Sequence, residues 1–423
     1  MRFHHSDFLT NFKRLLPAAF IILLALIFLW HTLLKRKMAV PEDAGVAGQP
    51  LVRVLVMTGM TDADFECKSG FRANSLSHPA ITVSYPEKHF APITLREGEI
   101  VIGEDNFGTD VELHPICGEG QFPVSSIAGR SYRGSLRLRS DDGSFSVINT
   151  LQIESYLAGV ISAEMPAHWP LEALRAQTIA ARSYCLFIKH RFGSNRRWDV
   201  RATQANQVYR GIAAERRRCW QAVETTVGMV LTSPDSRHPD LIFPAYFSSV
   251  CGGHTENSRS VFGDSYAPLQ GVECPGCVNT APDKYLNWQG FTISKKEAYQ
   301  ILKKRYPTLE RLGSLTRVEV IERSSYAAFE RILRIRLHGE NGTSDTLRGE
   351  DFRLSIDPTG MKLKSCGCRL IDKKDHIVIT NGRGFGHGIG LCQYGSLYLA
   401  RKGLAGEDIL YHYYPDSEMI KLY

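Results

Sequence analysis

Residues 15–34 are apolar except for Pro17, His31 and Thr32, and they stand between Lys13-Arg14 and Lys35-Arg36-Lys37. At about 1.5 Å per residue, such a run covers a hydrocarbon core of roughly 30 Å. An ordinary buried helix is not expected at the extreme N-terminus with basic residues on both sides. The run therefore predicts a single-pass membrane anchor, preceded by a short tail at 1–14. The basic flanks leave the positive-inside rule undecided. A cleaved signal peptide is the alternative, with Ala44-Gly45-Val46-Ala47 offering the small residues that cleavage needs. The run is long for such a leader, so the anchor is preferred. The expected location is the cell membrane, with the remainder of the chain extracytoplasmic. Residues 35–50, with Pro41, Gly45, Gly48 and Pro50, read as a linker.

The chain of 423 residues is long enough for two or three domains with a sizeable core, and 22% charged residues is ordinary for globular protein. Its formal charge is +7. The densest basic clusters, Arg196-Arg197 and Arg216-Arg217-Arg218, are too short to argue for nucleic acid and read as solvated faces. Ten cysteines in an exported chain suggest disulfides or a metal.

Strands and helices come in clusters rather than in strict alternation, which predicts an α+β fold. Residues 51–150 form a β-rich N-terminal part. Within it Val52, Val54 and Val56 alternate with Leu51, Arg53 and Leu55, and short β-type runs follow between Gly, Pro and Asp turns. Residues 151–423 form a mixed core. It should hold a helix over 153–163, a longer one opened by Pro170, and a helix over 294–306. A strand pair at 318–321 and 332–337 and a strand at 377–380 should precede a Gly-rich loop and a C-terminal helix.

Three groups of residues carry chemistry. Ile153, Leu157, Val160 and Glu164 step by four, three and four residues and so share one helix face. Pro166 ends that helix, and Met165–Trp169 forms a tight corner with Glu164 at its lip. A carboxyl in line with an apolar stripe keeps its proton longer, which is how proteins make a general acid. The plainer reading is a glutamate at a fraying helix end. Second, Cys251-Gly-Gly-His254 and Cys274-Pro-Gly-Cys277, nineteen residues apart, match a Cys3His zinc knuckle at 251–277. A Cys274–Cys277 disulfide, a redox pair and free thiols are the alternatives. Third, Gly-rich Asn381–Gly395 holds His387 and Gln393, but no nucleotide-binding glycine pattern fits it. Its glycines let backbone N–H groups and His387 line a groove.

Together these blocks resemble the SpoIID/LytB family of cell-wall proteins. The resemblance rests on Glu154 to Pro166, Leu171 to Gln177, Ala180 to Tyr184, Gln207 to Gly211, Tyr246 to Thr255, Gly382 to Gly395 and His412 to Pro415. It covers the chain from about residue 130 onward. It implies a peptidoglycan lytic transglycosylase that cuts the β-1,4 bond after N-acetylmuramic acid and leaves a 1,6-anhydro end. Glu164 matches the catalytic acid. Gln177, Arg182, Gln207, Tyr209, Ser248, Ser249, His387 and Gln393 match positions implied to bind substrate. Relatives that carry a metal near the Ser/Gly segment support Cys251 and His254 as ligands, whereas Cys274 and Cys277 rest on spacing. The zinc is expected to be structural, and no cofactor is expected for the chemistry. Another reading is a non-catalytic peptidoglycan binder that enhances a cell-wall amidase.

Overall fold

The alternation at Leu51–Arg53 is realised as a ten-residue strand, Leu51–Met60, whose Val52 and Val54 are fully buried. The computed structural model describes residues 48–423 apart from 88, 117–123, 325, 327 and 328. The expected anchor at 15–34, the tail before it, nearly all of the 35–50 linker and Cys117 lie outside the described residues. No helix among the described residues is long and apolar enough to cross a membrane.

The β-rich part is built from two sheets. One has seven strands, with Leu51–Met60 between Ser144–Gln152 (antiparallel) and the short Val200–Arg201 (parallel). The other has six, including Asp62–Cys67 and His89–Arg96. The sheets meet over aromatic rings: Phe65 from the second lies edge-on to Phe71 of the first at 4.6 Å, and Phe71 stacks on Tyr85 at 4.4 Å. Period-2 patterning with one face buried against the opposite sheet is what such strands require.

Ser144–Gln152 runs without a break into helix α1, Ile153–Glu164. Every residue of α1 from Ile153 to Ile161 is buried. The helix is therefore central rather than amphipathic, because sheet, helices and the loop after Tyr209 close on it from all sides. α1 ends at Met165, which turns to extended backbone before Pro166. Helix α2, Leu171–Phe192, follows, with Pro170 as its cap rather than its first residue. The expected corner thus exists, and Trp169 is buried in it.

Residues 288–379 form a second hydrophobic core of their own, from Trp288 through Leu302, Ile335 and Phe352 to Ile379. This lobe carries the helix Lys295–Arg305, capped by Ser294 accepting from Glu297 N–H at 3.1 Å. It also carries the expected strand pair, Leu315–Arg323 against Ile332–Gly339. The chain then returns through His376–Thr380 and the Gly-rich loop to a short parallel pairing of Phe247–Ser248 with Leu391–Cys392. Helix α3, Gln393–Arg401, starts at once after that pairing. The mixed α and β character agrees with the expected class.

Candidate active site and cysteine cluster

The α1–α2 corner, the Ser248-Ser249 segment, the Gly-rich loop and the second lobe surround one groove of about 690 Å³. Glu164 lies half-buried at its floor. Its two carboxyl oxygens have separate partners: Val208 N–H donates to Oε1 at 2.8 Å, and Gln393 Nε2 lies 3.4 Å from Oε2. Burial pushes this carboxyl above the usual carboxylate range. The Val208 and Gln393 hydrogen bonds and the nearby Arg210 charge only partly pull it back. A carboxyl held that way gives up its proton less readily than a free one, and the same two hydrogen bonds can hold the negative charge left behind.

Glu350 is the other carboxylate lining the groove among the described residues. Burial alone would raise it, but Arg353 grips it through two hydrogen bonds, 2.8 and 2.6 Å, and holds it below the usual range. It remains ionised and occupied.

Aromatic rings form one side of the groove. Trp169 meets Tyr394 edge-on at 4.9 Å, Tyr394 is 6.1 Å from Tyr285, and Tyr285 is 5.7 Å from Phe385. Flat apolar surfaces edged with hydroxyls suit the faces of pyranose rings. Ser248 Oγ is buried without a protein partner and offers a further polar contact.

The resemblance-derived residues divide. Ser248, Ser249, His387 and Gln393 line the groove. His387 is fixed in it: Ile389 N–H donates to Nδ1 at 3.0 Å, and burial pushes the ring down to about 4, against the pull of Glu350. A neutral, tethered imidazole is a wall of the site rather than a proton donor. Gly386 makes that wall possible. Its φ is +100°, and a Cβ there would lie 2.8 Å from that of Ser248.

Arg182, Gln177, Gln207 and Tyr209 do not line the groove. Arg182 is fully buried and grips Glu154 at 2.9 and 2.6 Å, because a glutamate on a helix buried all round needs a cation. Tyr423 also donates to Glu154, at 2.5 Å. Gln177 is buried in α2, with both amide atoms lacking a protein partner. Gln207 accepts from Tyr156 at 2.9 Å and donates to the Ala181 carbonyl at 3.1 Å, so it ties α1 to α2. Its neighbour Val208 is thereby held against Glu164. Tyr209 donates to Asn149 at 2.9 Å and fills the space beside Gly159. These are supports beneath the site.

Cys251, Cys274 and Cys277 come together as expected, but His254 does not join them. The fourth member is Cys392, and all four buried sulfurs lie within 4.8 Å of one another. His254 instead stacks on Tyr326 at 3.6 Å, with its Nδ1 2.6 Å from the Thr255 carbonyl. Spacing could not find Cys392, because it arrives from the Gly-rich loop 115 residues after Cys277 (392 − 277). Four sulfurs about 2.3 Å from a shared centre sit roughly 3.8 Å apart, and Cys251 and Cys277 are at 3.6 Å. The donor set and spacing therefore fit a tetrahedral thiolate site able to hold a metal. Gly252, with φ +87°, supplies the tight turn between Cys251 and the loop beyond. The cluster adjoins the groove covalently: Cys392 precedes Gln393, and Cys251 follows Ser248-Ser249-Val250.

Arg210, Tyr246, Tyr285, Phe385, Tyr394, Arg305 and the Glu350–Arg353 pair also line the groove without having been singled out as site residues. The aromatic residues and Arg210 sit in or beside the motif blocks, whereas Arg305 and the ion pair come from a lobe that carries no motif.

The Stage II sporulation protein (SpoIID) family model matches residues 141–233, which hold α1, the corner, α2 and the Gln207 block. The chain is 27% identical over 378 residues to an uncharacterized protein of Brachyspira hyodysenteriae, covering 88% of this chain and 94% of the relative. It is 29% identical to stage II sporulation protein D of Bacillus subtilis over 292 residues, 64% of this chain and 75% of the relative. It is 27% identical to the amidase enhancer of the same organism over 62% of this chain, spanning 40% of that larger protein. By its motifs, their order and these relatives, the chain is similar to the SpoIID/LytB family.

Proposed function

We propose that the protein is a lytic transglycosylase acting on peptidoglycan glycan strands, anchored in the cell membrane with its groove outside the cytoplasm. The observation that carries this reading is the contrast between the two groove carboxylates. Glu164 is raised and open to the groove, while Glu350 is already committed to Arg353. Hydrolysis by the usual glycosidase route needs two working carboxylates. One suffices when the attacking hydroxyl belongs to the substrate.

In the proposed reaction Glu164 donates its proton to the glycosidic oxygen as the C1–O bond breaks. The C6 hydroxyl of the same muramyl residue attacks C1, and the Glu164 carboxylate accepts its proton. The product is a 1,6-anhydro end, and Glu164 is again protonated. Val208 N–H and Gln393 stabilise the intermediate carboxylate. The aromatic row orients the sugars, and His387 and Ser248 shape the wall. The four cysteines would hold a zinc ion as a structural clamp on the Ser248 segment and on Gln393.

The relative named amidase enhancer favours a second reading, in which the groove binds glycan and promotes a cell-wall amidase without cutting. Purified full-length protein and its Glu164→Gln variant, incubated with peptide-stripped glycan, separate the two. Anhydro-muramyl products from the first protein alone support the enzyme. Binding by both without products supports the enhancer, and reducing-end products would overturn the single-carboxylate mechanism.

A further inference from the structure

We infer that the face formed by the C-terminal end of α2 and the loop after it docks on an anionic lipid surface. α2 closes on Lys189-His190-Arg191, and the following loop carries Arg196, Arg197, Trp198 and Arg201. The four arginines are exposed. Three of them lie over aromatic rings: Arg191 and Arg196 are 5.2 and 4.3 Å from the ring of Phe192, and Arg201 is 5.0 Å from that of Trp198. Basic groups beside amphipathic rings form the pairing that suits a headgroup layer.

The carboxylate within this stretch does not neutralise that surface, because Asp199 is turned inward. It is fully buried and accepts from Arg53 N–H at 2.8 Å, from the Arg53 guanidinium at 2.7 Å and from Lys189 at 3.2 Å. Asp141 pairs with Arg197 at 3.3 Å, and Asp264 lies 3.9 Å from Arg191. Arg196 and Arg201 have no carboxylate within ion-pair distance among the described residues. A depression of about 610 Å³, lined by Arg53, Lys189, His190, Ser194 and the Asp199 that Arg53 and Lys189 neutralise and edged by Asp240, continues the face.

Pro50 lines that same depression, so the chain enters the described fold on this face. Only thirteen residues, 35–47, separate it from the apolar run that ends at Leu34. Fully extended they reach at most about 45 Å. The tether rests on the proposed reading of 15–34 as a membrane segment; the charge of the face does not. Tyr184, which lines the groove, is eight residues before Phe192, about 12 Å along α2. Docking would therefore bring one end of the groove close to the headgroups and direct the protein to membrane-proximal glycan.

The test is amide hydrogen exchange on the full-length protein in phosphatidylcholine vesicles with and without phosphatidylglycerol. Residues 189–201 should exchange more slowly on the anionic vesicles, and salt should reverse the effect. Each arginine near an anionic leaflet strengthens docking by about fivefold, so Arg196→Glu with Arg201→Glu should weaken it about 25-fold or more. The protection should vanish in that variant while exchange elsewhere is unchanged. Equal exchange on both vesicles would overturn the proposal. So would protection by soluble poly(glycerol phosphate) on both vesicles with none from the lipid. Alkaline extraction of the same vesicles reads the anchor separately. Release of the chain would remove the tether, while lipid-dependent protection would still support the docking face.

Discussion

Glu164 and Glu350 face the same groove from opposite lobes, and their surroundings send them in opposite directions. Burial acts on both. At Glu164 it is answered only in part, by a backbone N–H, a long amide contact and a nearby charge, so the proton is held more tightly than on a free carboxyl. At Glu350 it is answered by a two-point guanidinium contact, so the proton leaves. The difference teaches that position in a cleft does not assign a role to a carboxylate. What assigns it is whether a cation is bound to it before substrate arrives.

The largest expected break in this comparison is Glu164→Gln, which should lower glycan cleavage by about 10³-fold, read as anhydro-product release by mass spectrometry. The same change should raise the melting temperature at neutral pH. A carboxyl raised in the folded state binds its proton more tightly there than in the unfolded chain. It therefore costs stability as pH rises through the range between the two values, and glutamine removes that cost.

Next is Arg353→Met, which leaves Glu350 buried and unpaired and should cost about 3–5 kcal/mol in denaturant unfolding. The sign with pH is opposite. The native pair contributes above the unfolded glutamate range and is lost as pH falls through the lowered folded value. The variant should thus lie furthest below wild type at neutral pH and approach it in acid. Adding Glu350→Gln should recover part of the loss.

Cys392→Ser should weaken metal retention by at least about 10- to 100-fold, a loss that even groups outside the ligand shell can cause. Stoichiometry by elemental analysis and melting with and without a chelator will check it. His254→Ala should leave retention unchanged, because its ring is engaged with Tyr326. The smallest effect on activity is expected from Gln393→Leu. Losing one weak hydrogen bond should move rates about two- to tenfold and shift the alkaline limb of the activity profile upward, since the Glu164 proton is then held more tightly.

The α1–α2 corner was legible in sequence because its signals are local: apolar spacing, Pro166, Pro170 and a carboxylate where an apolar residue belongs. The knuckle was three-quarters legible for the same reason, and its fourth sulfur was hidden by a long loop closure. Arg182 illustrates the converse. Its motif marked it as important, but only packing shows that it serves Glu154 inside the core rather than a sugar in the groove. The second lobe was readable as secondary structure at 294–306, 318–321 and 332–337. That it forms the opposite wall of the groove depends on tertiary closure.

Gln207 never reaches the groove, yet it decides what the groove can do. Its two amide hydrogen bonds set the height of the next peptide unit, and that unit supplies the N–H at 2.8 Å from Glu164. Natural variation at this buried position would be felt as a change in acidity at the reaction centre rather than as a change in fit. In the proposed reaction, a residue with no view of the sugar would thus tune the operating pH, and a lineage living in a more acidic or more alkaline wall could adjust there without redesigning the cleft.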